Sequence, residues 1–486
     1  MAFGIKELQN HERPTTPTSP ALTNRRNSVL FHSQVFILLF LPLTLFAYYR
    51  LAANGVLHEY WLIAASLVFY GWWDVRFLPL MLGQTLISWA LARLYFKIGG
   101  RWLLQLAVVS NLLVLGLFKY LDFGISILED VSGLSFPRSG LILPIGISFY
   151  TFQLISYLVD AMRGEAPAYG LRRFVLFITI FPHLVAGPVV RHNEIISQFD
   201  LDPLRPGVAE RMAKGLSLFV LAMAVKVLVA DRLAVDADAV FAAAAVAPTS
   251  FLDAWRAMLA FGFQIFFDFA AYTQMAIGVA LMMGLVLPRN FDQPYRALTV
   301  QDFWRRWHMS LSRFLRDYVY IPLGGSRNGT LRYILASLGT MGLCGLWHGA
   351  GWNFVLWGGG HGIALIICRY WQKAGLRLPG TIAWLLTFTF AIVMFGLFRA
   401  PDLTVAGGML SGAVGMNGLG TLWEEEFLIL LLVAAVLALW PQNGEDFIAT
   451  WLRPWRIVGA GVATALAFLV LEVGKGQPTS FIYFQF

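Results

Sequence analysis

The feature that most constrains this chain is the recurrence of apolar runs close to the length of a bilayer crossing. Runs able to span lie at 35–49, 60–73, 78–96, 102–118, 141–159, 174–190 and 216–230. They continue at 251–284, 333–347, 352–370, 382–398, 427–440 and 457–473. A helix needs roughly 20 residues to cross hydrocarbon. Several runs are shorter, so tilted, re-entrant and interfacial segments are expected beside about 11 true spans. None shows the alternation of a barrel strand, and helix is then the only spanning state that satisfies every backbone polar group internally. Composition agrees: 58% of residues are hydrophobic and 13% charged, against roughly 25% charged in a soluble domain. The expected fold is an all-α polytopic membrane protein.

The net charge of +8 raises the question of nucleic acid. The basic residues sit mostly in the gaps between apolar runs, where the positive-inside bias accounts for them, so no nucleic-acid partner is expected. Cys344 and Cys368 both lie in apolar stretches and imply no disulfide framework. Residues 1–33 are polar, with Pro14, Pro17 and Pro20 among serines and threonines, and read as a disordered cytoplasmic tail. No cleavable signal is evident. Residues 34–473 form the transmembrane domain, and 474–486 a spacer ending in an aromatic tail. Two matching halves of the transporter kind are not visible.

Polar chemistry concentrates between Gln301 and Gly362. Three of the eight histidines, His308, His348 and His361, fall there among arginines and tryptophans. Imidazole and charge are unfavourable at membrane depth, so their concentration marks a working site. Over 299–320 the residues Phe303, Trp307, Leu311, Phe314 and Tyr318 keep the spacing of one helical face, which predicts an interfacial or folded-back helix. Arg305, Arg306, Arg313 and Arg316 take the other faces and put this stretch on the cytoplasmic side. His308 and Ser312 are one turn apart and share a side. Pro322 and the glycines after it end the helix.

His348 is the strongest catalytic candidate. A lone histidine is usually a hydrogen-bonded core residue, but this one stands in a histidine cluster. The surrounding Gly349, Gly351 and Gly358-Gly359-Gly360 are expected to leave room for a substrate chain. A neutral imidazole there is able to take a proton from a hydroxyl. His308 reads as a residue that orients His348 or an acyl group, and His361 as a packing residue. The histidines lack compact ligand spacing and a partnering carboxylate, so no metal is expected. Cys344 shares a helical face with His348, but nothing activates its thiol. Asp268 lies inside an apolar run. It is either a tunnel residue or a structural one that caps a helix or pairs with an arginine. After the last run comes Phe481-Ile482-Tyr483-Phe484-Gln485-Phe486, too sticky to be left in water. It is expected to dock in a groove or on a partner, and the Tyr483 hydroxyl is a possible nucleophile.

Several stretches together resemble the membrane-bound O-acyltransferases. They are Phe303-Trp304-Arg305-Arg306-Trp307-His308, Arg316-Asp317-Tyr318-Val319-Tyr320-Ile321-Pro322 and Leu346-Trp347-His348-Gly349. Leu143-Pro144-Ile145-Gly146 and Phe181-Pro182-His183-Leu184 add to them. The similarity is to the bacterial branch that O-acetylates alginate, cellulose and peptidoglycan. It implies a helical bundle around a central tunnel that meets at a catalytic histidine, matched by His348, with His308 as the second motif histidine. It further implies a bacterial inner-membrane enzyme with no bound cofactor, acetyl-CoA or another acyl thioester as donor, and an extracytoplasmic SGNH-type partner with polysaccharide machinery. The tail is similar to the aromatic C-terminus of the small peptide of teichoic-acid D-alanylation, which makes Tyr483 the acyl carrier. The expected catalytic residues are therefore His348, His308 and Tyr483. Arg305, Arg306, Asp268, Ser312, Asp317 and Asn353 are expected to bind substrate, the arginines holding the donor phosphates. One departure stands out: relatives carry an acid where this chain has Gln274. The alternative from another class is a transporter or flippase of a lipid-linked saccharide.

Overall fold

The computed structural model describes residues 31–451, 456–475 and 481–482. Among them the chain is helical, with no β-strand. The helices used below are α1 (Leu41–Ala52), α2 (Leu57–Asp74), α3 (Leu78–Ile98), α4 (Trp102–Ser132), α5 (Ile147–Arg163), α6 (Val208–Val225) and α7 (Asp231–Ala244). They continue as α8 (Phe251–Met282), α9 (Val300–Arg306), α10 (Met309–Leu315), α11 (Thr330–His348), α12 (Trp352–Lys373) and α13 (Gly380–Arg399). The last are α14 (Leu403–Ala413), α15 (Glu425–Leu439), α16 (Gly444–Trp451) and α17 (Arg456–Lys475).

The bundle is built around α8. Its sequence is apolar on every side, as a helix surrounded by protein requires, and 89% of its most apolar stretch is buried. Ser250 caps its start by accepting the Asp253 N–H. Helices α6, α7 and α13 pack directly on it. The closest approach is at Gly215 and Gly278, where a Cβ on Gly215 would stand 2.5 Å from the Gly278 carbonyl oxygen. A second tight pair is α11 with α12. The outer helices carry exposed apolar rows, such as Leu106, Val109, Leu113 and Leu117 on α4. Such rows belong against lipid rather than water.

Five helical stretches among the described residues are long and apolar enough to cross a bilayer, or six when the bent pair α15 and α16 counts as one. The expected figure of about 11 is not reached on length and composition. Helices α11 and α12, which carry His348 and His361, are not among those stretches.

Candidate active site

The expected helix over 299–320 is broken at one residue. Phe303, Trp307, Leu311 and Phe314 are buried as their spacing predicts, and Tyr318 is half-buried. Yet α9 stops at Arg306, and His308 takes φ +43° and ψ +54° before α10 begins. For an L-residue this left-handed conformation costs about 1–2 kcal/mol. The loop after α8 supplies the compensation through Asn290. Its carbonyl accepts the Met309 N–H at 2.8 Å. Its side-chain oxygen accepts from the Ser310 hydroxyl at 2.9 Å and the Ser310 N–H at 3.3 Å, and lies 3.0 Å from His308 Nδ1. An atom that accepts from a backbone N–H is oxygen, so the hydrogen bonds assign the His308 proton to Nδ1 and the lone pair to Nε2. That Nε2 is buried without a hydrogen-bond partner among the described residues.

His348 ends α11 and is 5% exposed. Its ring meets Trp347 at 4.7 Å, Trp357 at 5.1 Å and Phe398 at 5.2 Å between centroids. The His308 ring lies 5.9 Å from Trp347, so one indole touches both imidazoles. On the other side Trp357 lies 4.7 Å from His361. His361 accepts the Trp304 indole N–H at its Nδ1, 3.1 Å away, and thereby ties α9 to α12.

Two adjacent residues of α4 hold the last turn of α11. The Tyr120 hydroxyl donates to the Leu346 carbonyl at 2.8 Å. The Lys119 Nζ donates to the Trp347 carbonyl and, at 3.3 Å, to that of His348. These donors satisfy carbonyls that the end of a helix leaves without intrahelical partners. Asn353 donates to the carbonyls of Ala400 at 2.9 Å and Phe398 at 3.3 Å, capping α13 and keeping Phe398 against His348.

The glycines around His348 do not leave the expected room. A Cβ on Gly345 would meet the Phe354 carbonyl oxygen at 2.1 Å, and one on Gly358 the Met341 carbonyl oxygen at 2.1 Å. The Phe354 ring fills the space at Gly349. These glycines let α11 and α12 touch by their backbones, with Gly359 alone of this group facing open space.

The remaining expected residues distribute unevenly. Arg305 is exposed, and Arg306 pairs with Asp302 at 3.0 Å. The Ser312 hydroxyl donates to the Trp307 carbonyl at 3.3 Å. Asp317 joins a separate cluster, 2.6 Å from both Arg191 and Arg316. Burial pushes its carboxyl up, but the hydrogen bonds from Arg316 and Arg191 prevail and hold it below the usual carboxylate range. Asp268 is buried and pairs with a lysine, Lys226, at 2.8 Å, where the sequence suggested an arginine or a helix cap. Tyr483 lies outside the described residues, but Phe481 and Ile482 are buried against α8. Among the described residues no cluster of His, Cys, Asp and Glu is arranged to hold a metal ion.

Sequence reasoning missed Asn290, Lys119, Tyr120 and Lys226. For both lysines a signal existed. Lys226 stands inside the run at 216–230, and Lys119 directly follows the run at 102–118. An ionisable residue in such a place calls for a function or a partner.

The many-helix membrane fold thus brings two buried imidazoles, His308 and His348, against one indole, that of Trp347. Residues 163–400 match the membrane-bound O-acyltransferase family. A probable alginate O-acetylase of Pseudomonas aeruginosa is 42% identical over 393 residues, covering 78% of this chain and 74% of the relative. Another of the same name, from Pseudomonas putida, is 42% identical over 94% of this chain and 100% of the relative. A peptidoglycan O-acetyltransferase of Helicobacter pylori is 38% identical over 80% of each chain. The chain belongs to the membrane-bound O-acyltransferase family and is a multi-pass membrane O-acyltransferase. This decides against the transporter alternative.

Proposed function

We propose that this enzyme moves an acetyl group from a cytoplasmic thioester, acetyl-CoA in the simplest case, to a hydroxyl destined for a cell-envelope polysaccharide. The named relatives act on alginate and peptidoglycan, and such polymers lie beyond the bacterial cytoplasmic membrane. His348 is the general base. It takes the proton of the acceptor hydroxyl while that oxygen attacks the thioester carbonyl, and the C–O bond forms. The tetrahedral intermediate then expels the thiolate, which takes the proton back from the imidazole as the C–S bond breaks. His308, with its lone pair fixed on Nε2 and its ring sharing the Trp347 indole with His348, holds the reacting groups in register. The enclosure of both rings supports the reading, because water excluded from the site cannot hydrolyse the thioester.

The acceptor in this scheme is the Tyr483 hydroxyl or that of an extracytoplasmic SGNH-type partner, which passes the acetyl group to the polymer. The observation that carries the proposal is the pair of buried imidazoles on one indole, with one tautomer fixed by Asn290. The test is acetyl incorporation into envelope polysaccharide by cells carrying His348→Ala. Loss of incorporation at normal protein level is expected, and undiminished incorporation rejects the assignment. Mass spectrometry of the C-terminal peptide during turnover examines the carrier: an acetyl ester is expected on the native peptide and none on Tyr483→Phe.

A further inference from the structure

We infer that Lys226 and Asp268 form a peptide-binding clasp whose ligand is this chain's own C-terminal segment, gripped through the main chain at Ile482. The positioning purpose given to the clasp below rests on the acyl-transfer reading.

Lys226 opens a π-helical turn, Lys226–Ala230, between α6 and α7. A turn of this kind inserts an extra residue and re-aims its side chains. Lys226 and Asp268 reach each other with both side chains 3% exposed, Nζ to Oδ1 at 2.8 Å. The same ammonium meets Asp231, at the start of α7, at 2.5 Å. A carboxylate this deep needs every oxygen satisfied. The lysine serves Oδ1, and the Ile482 N–H donates to Oδ2 at 2.8 Å. The tail therefore completes a carboxylate that α6, α7 and α8 leave half-served.

Side chains set the register of that grip. The Phe481 ring, fully buried, stacks on Tyr272 at 4.4 Å and 27°. Tyr272 also stacks on Phe31 at 4.8 Å, so its phenol ring bridges the two ends of the described chain. Phe481 further meets Phe269 at 5.8 Å, and Phe269 meets the His308 ring edge-on at 4.7 Å. One aromatic ring thus separates the docked segment from the second motif histidine. The clasp thereby holds Phe481 and Ile482 one ring away from His308, beside the acyl-transfer site.

The experiment uses the full chain in nanodiscs. Hydrogen exchange is followed on the C-terminal peptide, and acetyl transfer is measured on the same samples. Ile482→Pro deletes the donated N–H and Ile482→Ala keeps it, and gel filtration checks that each variant retains a folded bundle. Slow exchange is expected in the native chain and Ile482→Ala, with at least a tenfold acceleration in Ile482→Pro and Asp268→Asn. The double variant is expected to be no faster than either single one, because both break the same contact. Transfer is expected to fall at least tenfold in Ile482→Pro with KM for acetyl-CoA unchanged. A native tail that exchanges as fast as Ile482→Pro overturns the clasp. A tail released with transfer at the native rate overturns its positioning role and leaves the His348 assignment standing. Native transfer by His348→Ala rejects the catalytic reading without touching the exchange result.

Discussion

Replacing Asn290 by alanine tests whether the strained backbone at His308 matters to the reaction. The substitution removes one oxygen that holds three donors: His308 Nδ1 at 3.0 Å, the Ser310 hydroxyl at 2.9 Å and the Ser310 N–H at 3.3 Å. Each such bond contributes about 0.5–1.5 kcal/mol net, so roughly 3 kcal/mol of local support disappears. The backbone bond from Met309 to the Asn290 carbonyl survives, so the turn keeps part of its restraint. Against this stands the 1–2 kcal/mol cost, approximately, of the left-handed His308. With the side-chain oxygen gone, the ring loses its fixed tautomer and its direction. A factor of ten in rate corresponds to about 1.4 kcal/mol, so a loss of roughly 10- to 100-fold in kcat is expected. The assay is steady-state acetyl transfer in proteoliposomes, with gel filtration to confirm an intact bundle. Native kcat in a well-folded Asn290→Ala protein refutes the reasoning about His308.

Further perturbations separate packing from chemistry. Gly345→Ala and Gly358→Ala each drive a methyl to 2.1 Å from a carbonyl oxygen of the facing helix, so each destabilises by about 1–3 kcal/mol or more. Gly359→Ala meets nothing within 4 Å and is expected to leave the melting temperature unchanged or raise it, given the better helix propensity of alanine. Trp304→Phe leaves the buried His361 Nδ1 without its donor. It should cost about 1–3 kcal/mol in thermal unfolding while KM for the donor stays as it was. Lys119→Met uncovers the carbonyls of Trp347 and His348 and is expected to lower kcat by about tenfold, that is by roughly 1.4 kcal/mol. Asp317 titrates lower in the folded chain than in the unfolded one. Its contribution is therefore complete above the ordinary carboxylate pKa of about 3.9 and fades as pH falls through the lower folded value. Acid unfolding curves of Asp317→Asn should differ from the native protein above that range and converge with it below.

Helical class and the gathering of His308, His348 and His361 around two indoles were legible because both follow from the bilayer. Apolar runs have to be helices, and the imidazoles stand out against an oily background. The burial of Phe481 and Ile482 was legible on the same ground, since such side chains have no stable place in water. Geometry within the site was less accessible. The spacing of Phe303, Trp307, Leu311 and Phe314 correctly gave a buried face, yet periodicity carries no information about the backbone of His308 between them. The break there depends on Asn290, 18 residues earlier in the chain. The glycines near His348 misled because a missing Cβ admits either a ligand or a neighbouring helix, and only the position of Phe354 and Met341 decides which. Lys226 and Lys119 were visible as charges at or beside apolar runs. Their partners, Asp268 and the end of α11, come together only in the folded bundle.

The claim on which the account turns is that the imidazole of residue 348 moves the proton during acyl transfer. Its most direct test is the single-turnover rate of acetyl transfer by His348→Ala in nanodiscs, measured with and without added imidazole. General-base catalysis typically contributes 10²–10⁴-fold. A fall of at least about 100-fold, partly restored by imidazole, is the predicted result. A rate equal to that of the native enzyme contradicts the claim.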